Sequence, residues 1–170
     1  MFDDVLAANL RFQATFTDSG MPGRAAKGLA VLTCIDSRID PLAMLGLRPG
    51  DAKIIRNAGA RVTDDALRSL VLAVNLLGVD RVCVVQHTDC AMVGSTDDDV
   101  RVRISEASGA DASAWTFYAS TDQHQTLHDD IARIRECALL PDDLLIGGFV
   151  FDVHTGALVP DGPNGAGADG

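Results

Sequence analysis

The sequence predicts an α/β protein with three layers, α/β/α, around a central, mostly parallel sheet of four strands plus a short antiparallel edge strand. Three observations carry this. Apolar runs at 29–33, 52–55, 81–86 and 145–153 have the length of buried strands. Helical patterns separate them, as right-handed crossovers between parallel strands require. His154-Thr155-Gly156 reads as a hairpin turn that pairs 149–153 with a short strand at 157–159.

The elements follow in order. From Asp3 to Phe16, the residues Val5, Leu6, Leu10, Gln13 and Phe16 fall close to helical spacing, giving an apolar stripe. Ser19-Gly20-Met21-Pro22-Gly23 then breaks the pattern. A helix standing apart from the sheet needs an apolar surface to cover, and a partner subunit offers one. The strand at 29–33 leads into a helical turn over 41–45, a Pro-Gly loop at 47–51 and the strand at 52–55. Thr63 caps a helix with Asp64 and Asp65 in its first turn and Gly78 just past its end. After the strand at 81–86, a helix opens at Thr96, with Asp97 to Asp99 as helix-start electrostatics. Another spans about 121–137, and the strand at 145–153 closes the ordered part. From Pro160 the chain has nothing to bury, so one domain at 1–159 and a disordered tail at 160–170 are expected.

Composition excludes several function classes. The 170 residues are 47% hydrophobic and 22% charged, as in one soluble domain. No stretch of eighteen uncharged apolar residues occurs, and the N-terminus carries early acids where a signal peptide carries lysines, so a cytoplasmic protein is expected. Fourteen basic against 24 acidic residues give a formal charge of −10, which argues against nucleic acid or an anionic membrane as partner. Small molecules and other proteins remain. The four cysteines at 34, 83, 90 and 137 are read as thiols or metal ligands rather than disulfides. Cys83 and Cys137 sit in apolar patterns and read as core. No dinucleotide-type glycine pattern follows the first strand.

Ligands in open α/β sheets gather at the carboxyl ends of strands. The first strand ends in Cys34-Ile35-Asp36-Ser37-Arg38, and the third runs into His87-Thr88-Asp89-Cys90. If these strands are neighbours, Cys34, His87 and Cys90 converge. Two thiolates and one imidazole form a zinc set, and three protein ligands leave a fourth position open, as in catalytic sites. Cys90 is expected at a helix start, where the dipole favours its thiolate. A zinc with two thiolates acidifies water weakly, so a helper is needed. Asp36 would accept the hydrogen of a zinc-bound hydroxide and aim it, and Arg38 would hold that carboxylate in a bidentate fork. Read singly, each of the three ligands is a core thiol or a loop histidine, and Asp36–Arg38 is a surface ion pair.

With CIDSR at 34–38, RNAGARVTDDALRSL at 56–70 and HTDCAM at 87–92, the sequence resembles the β-class carbonic anhydrases, in their short bacterial branch. The resemblance extends from the N-terminal helix through GFVFDVHTG at 148–156. It implies one Zn2+ per subunit on Cys34, His87 and Cys90, the dyad Asp36 and Arg38, and reversible hydration of CO2 to bicarbonate and a proton. It also implies a homodimer or dimer of dimers, with the N-terminal helix across the partner and the CO2 pocket at the interface. The backbone of Ala58 and Gly59 would line that pocket. In a closed state, Asp36 would become the fourth zinc ligand. One departure is Ala91, where the family commonly has glycine.

Alternatives are hydrolysis of COS or CS2 on the same zinc site, a catalytically silent zinc-binding regulatory relative, and a metal-free hydrolase with Cys34 as nucleophile and His87 as base. His124 and His128, four apart on a helix, read as a solvated face before a proton shuttle. Trp115, Phe117 and Tyr118 read as core packing before a subunit contact.

Overall fold

The computed structural model describes residues 1–17 and 20–161. Five strands form one sheet: β1 (Leu29–Cys34), β2 (Ala52–Asn57), β3 (Arg81–His87), β4 (Leu145–Phe151) and β5 (Leu158–Asp161). Their order is β2-β1-β3-β4-β5, with the first four parallel and β5 antiparallel on β4. The helices are α1 (Asp3–Thr15), α2 (Asp64–Leu77), α3 (Asp97–Ser108) and α4 (Gln123–Arg135).

All six residues of β1 are buried, because it lies inside the sheet with both faces covered. On one face Ala30, Leu32, Val82, Val84 and Ile146 pack against Ala66, Leu70 and Ala73 of α2 and Leu127, Ile131 and Ile134 of α4. On the other, Leu29, Val31, Val85 and Phe151 meet Ile39, Met44 and Leu45, the last two in a short 3-10 turn at Ala43–Leu45.

Local chemistry sets the helix ends. The Thr63 side chain accepts from the Ala66 N–H, and Gly78 closes α2 at φ 75. Thr96 and Asp99 form a reciprocal capping box on α3. Asp97 does more than open that helix, since its carboxylate accepts the N–H groups of Phe117 and Ala119 at 2.9 and 2.7 Å. Asp122 caps α4, so the helix starts two residues later than the sequence predicts. The long strand read at 145–153 ends at Phe151 because Asp152 leads the turn, accepting the Gly156 N–H through its carbonyl.

Two expectations need correction. Pro160 and Asp161 belong to β5, paired with Phe149 and Gly148, so ordered chain passes the expected limit at 159. An edge strand tolerates a proline that has no N–H to give; the rest of the expected tail, 162–170, lies outside the described residues. Trp115 is exposed and stacked on Phe117 with ring centroids 6.3 Å apart, rather than in the core. Cys83 and Cys137 are half-buried and pack against the two apolar clusters.

No residue of α1 is buried, and Phe2, Val5, Leu6, Leu10, Phe12 and Phe16 are exposed along it. Among the described residues, no helix is long and apolar enough to cross a membrane.

Candidate metal centre

Parallel pairing of β1 with β3, in the register Thr33 to Val85, brings the carboxyl ends of the two strands side by side. Cys34 ends β1 and His87 ends β3, while Cys90 returns from the turn that follows. The ligand atoms of Cys34, His87 and Cys90 lie within 4.8 Å of one another, and all three residues are buried.

His87 is only 1% exposed. Its Nδ1 faces the Thr88 carbonyl oxygen at 2.8 Å, which places the ring proton there and leaves Nε2 as a bare acceptor. That Nε2 is buried without a hydrogen-bond partner. A buried polar atom left unpaired costs about 1–3 kcal/mol, and a cation held with the two sulfurs would satisfy it. Two sulfurs and one imidazole nitrogen fit zinc with one coordination position left open.

The two sulfurs interact directly. A hydrogen bond from the Cys90 thiol is the main influence holding the Cys34 thiol well below the usual thiol range, against the cost of burial, with His87 and the Gly59 N–H adding to it. Cys90 is pushed up, first by the Cys34 sulfur and then by burial. The expected helix-start position of Cys90 is not what forms, since α3 opens only at Asp97 and Cys90 sits in a turn closed by the Val93 N–H on its carbonyl oxygen. No helix dipole aids its thiolate. For His87, burial disfavours the imidazolium, but the nearby Cys34 sulfur outweighs this and the net shift is upward.

Beside the cluster, Arg38 donates to Asp36 from Nε to Oδ1 at 3.0 Å and from Nη2 to Oδ2 at 2.8 Å. The Arg38 backbone N–H adds a third bond to Oδ1 at 2.9 Å. These bonds hold the Asp36 carboxyl well below the usual carboxylate range, so it is ionised at neutral pH. Asp36 Oδ2 lies 3.9 Å from His87 Nε2. The Gly59 N–H donates to Cys34 Sγ at 3.3 Å. Gly59 has φ 78, and a Cβ there would come 3.2 Å from the Met92 Cβ, which accounts for glycine at this position. Ala58 and Gly59 follow directly on β2 in a short 3-10 turn. Ala91 is exposed and its backbone is not left-handed, so the position does not call for glycine.

Four residues were not singled out from the sequence. Arg56 of β2 donates to the carbonyl oxygens of Cys34 and Asp36 at 2.8 and 2.7 Å, fixing the segment that carries both. Gln123 of α4 donates to the His87 carbonyl oxygen at 2.9 Å. Asp89 adopts a left-handed φ of 55 between two candidate ligands, and His154 meets its carboxylate. Only the last pair had a signal, an acid between ligands and a histidine in a turn at the same end of the sheet. His124 and His128 both turn toward Asp161, at 2.8 and 3.8 Å.

A family model described as carbonic anhydrase matches residues 29–158. The β-carbonic anhydrase 1 of Mycobacterium tuberculosis is 36% identical over 156 residues, covering 92% of this chain and 94% of that protein. The chain belongs to the β-carbonic anhydrase family. The crystal structure of a carbonic anhydrase from Streptococcus mutans matches with a TM-score of 0.89 at 35% identity, covering 95% of this chain and 97% of the other. A carbon disulfide hydrolase from Saccharolobus solfataricus is 35% identical, covering 76% of this chain and 75% of that protein. The likeness to β-carbonic anhydrases accounts for the parallel sheet with its antiparallel edge strand and for the buried Cys-His-Cys group at the strand ends.

Proposed function

We propose that this protein catalyses the reversible hydration of CO2 to bicarbonate and a proton, with one zinc ion per subunit on Cys34, His87 and Cys90. The observation that carries the reading is the bare, buried His87 Nε2 facing two sulfurs, with an ionised carboxylate 3.9 Å away. Zinc bound there supplies Lewis acidity, which makes water a nucleophile at neutral pH. The protein does the rest. Asp36 Oδ2 takes one bond from Arg38 and keeps a lone pair to accept a hydrogen from water, aiming the oxygen lone pair at CO2. Arg38 keeps that carboxylate ionised and in place through its fork. The backbone of Ala58 and Gly59 serves as lining beside Cys34. Asp36, 3.9 Å from His87 Nε2, would be the residue placed to hold the metal as well if Arg38 let go of it.

The decisive experiment combines metal analysis with stopped-flow CO2 hydration near pH 7 and pH 8.5, with COS and CS2 offered in parallel. One equivalent of zinc and saturable hydration support the reading; zinc without hydration but with sulfide release moves the substrate to CS2 or COS. That second reading rests on the carbon disulfide hydrolase relatives, since the same ligand set can serve any linear substrate its pocket admits.

We infer a homodimer, or a dimer of dimers, because α1 has an apolar face that no described residue of its own chain covers. The CO2 pocket would then be completed by the partner. The cytoplasm fits four free cysteines, two of which must stay reduced to hold zinc. Residues 1–161 would act as one catalytic domain.

A further inference from the structure

We propose that His154 takes the proton released by hydration and hands it to buffer, with Asp89 fixing its tautomer; the inference rests on the hydration reading above. Each turnover converts CO2 and water into bicarbonate and one proton, with no electrons moved, so a proton must leave the site every cycle.

The four histidines divide cleanly. His87 belongs to the Cys-His-Cys group, and His124 and His128 turn to Asp161. His154 remains, in the turn between β4 and β5. Its Nε2 lies 2.6 Å from Asp89 Oδ2, and Asp89 stands between His87 and Cys90 in the chain. Arg38 links the two sides: Nη2 donates to the Asp89 carbonyl oxygen at 3.2 Å and to Asp36 Oδ2 at 2.8 Å, and Nη1 lies 4.0 Å from Asp89 Oδ2. The turn is tied to the same loop by the Val153 N–H on Thr88 Oγ1 at 3.1 Å. The charged groups facing His154 are Asp89 from the ligand loop, Arg38 behind it, and Asp152 of its own turn, which accepts the His154 N–H at 2.8 Å.

The Asp89 carboxylate selects the tautomer with hydrogen on Nε2 and leaves the Nδ1 lone pair free. Arg38 stays protonated and carries nothing; it holds Asp36 and Asp89 on either side of itself. The proton crosses by solvent to Nδ1, giving an imidazolium, and leaves from the same nitrogen to a buffer base. The His154 side chain is 67% exposed, so buffer reaches it.

The test uses the zinc-loaded protein and its His154→Ala, His154→Gln and Asp89→Asn variants, each with zinc content measured. In dilute buffer, kcat of both His154 variants should fall about tenfold or more, less than for an acid or base acting directly because buffer partly replaces it. Their kcat/KM should stay at the parent value, and added imidazole should restore kcat. His154→Gln can keep a hydrogen bond to Asp89 but cannot carry a proton, so parent-like kcat in that variant overturns the proposal. So does a parallel, unrescued fall of kcat and kcat/KM. Independently of activity, 15N NMR should show hydrogen on Nε2 of His154, a preference weakened in Asp89→Asn, whose neutral amide oxygen is a poorer acceptor; hydrogen on Nδ1 in the parent would overturn the assignment. A parent protein that binds zinc and fails to hydrate CO2 sinks the function instead, while leaving the tautomer readable.

Discussion

Arg56 holds the main chain at Cys34, donating from Nε to its carbonyl oxygen at 2.8 Å while Nη2 reaches the carbonyl oxygen of Asp36 at 2.7 Å. One side chain of β2 thus sets the backbone for a candidate ligand and for the carboxylate beside it. Arg56→Met should weaken zinc binding by about ten- to a hundredfold, as losing an outer partner of a ligand does. Competition with a chromophoric chelator reads this, and unchanged affinity would leave Arg56 without the role given to it.

Asp36→Asn keeps the size of the side chain and removes its charge. The variant should retain one equivalent of zinc and lose about 100-fold or more in kcat/KM for CO2, the scale of a positioned proton-accepting group. Parent-like hydration would show that Asp36 does not orient the nucleophile.

Cys90→Ser replaces a sulfur ligand by a weak hydroxyl donor. Zinc should be lost on dialysis and hydration abolished, while the far-ultraviolet circular dichroism stays near that of the parent, because both apolar clusters remain. Full zinc occupancy in the variant would contradict the ligand set.

Acid should weaken the fold through its caps. Asp99 is held below the ordinary carboxylate range by Thr96, first through the hydroxyl and then through the backbone N–H. A group whose folded pKa is depressed stabilises the fold above its unfolded value, near 3.9, and loses that contribution as pH falls below it. The gap in urea midpoint between metal-free parent and Asp99→Asn should therefore be widest near pH 6 and shrink toward pH 3. A gap independent of pH would mean the carboxylate charge plays no part in the cap.

The exposed face of α1 should hold two chains together. Leu6→Glu with Leu10→Glu should shift sedimentation from dimer to monomer without changing the circular dichroism, since neither side chain is buried in its own chain. A parent that sediments as a monomer would remove the basis for the shared pocket.

Much of the fold was legible because its signals are local. Thr63, Thr96 and Gly78 mark helix ends by satisfying backbone groups within a turn of themselves, and the strands of the sheet are short apolar runs. Reading stopped where an element end depends on a distant partner. Pro160 joins the sheet only because Phe149 stands opposite it, and Cys90 occupies a turn rather than a helix start.

The sequence alone was enough to name the candidate ligand types and the Asp36–Arg38 fork, the latter because a two-residue spacing brings those side chains together whatever the rest of the chain does. Only the tertiary structure could bring Arg56 to Cys34, Gln123 to His87 and His154 to Asp89. Those contacts join residues 22, 36 and 65 positions apart, and strand order and register, set by burial of both faces of the sheet, determine which of them meet.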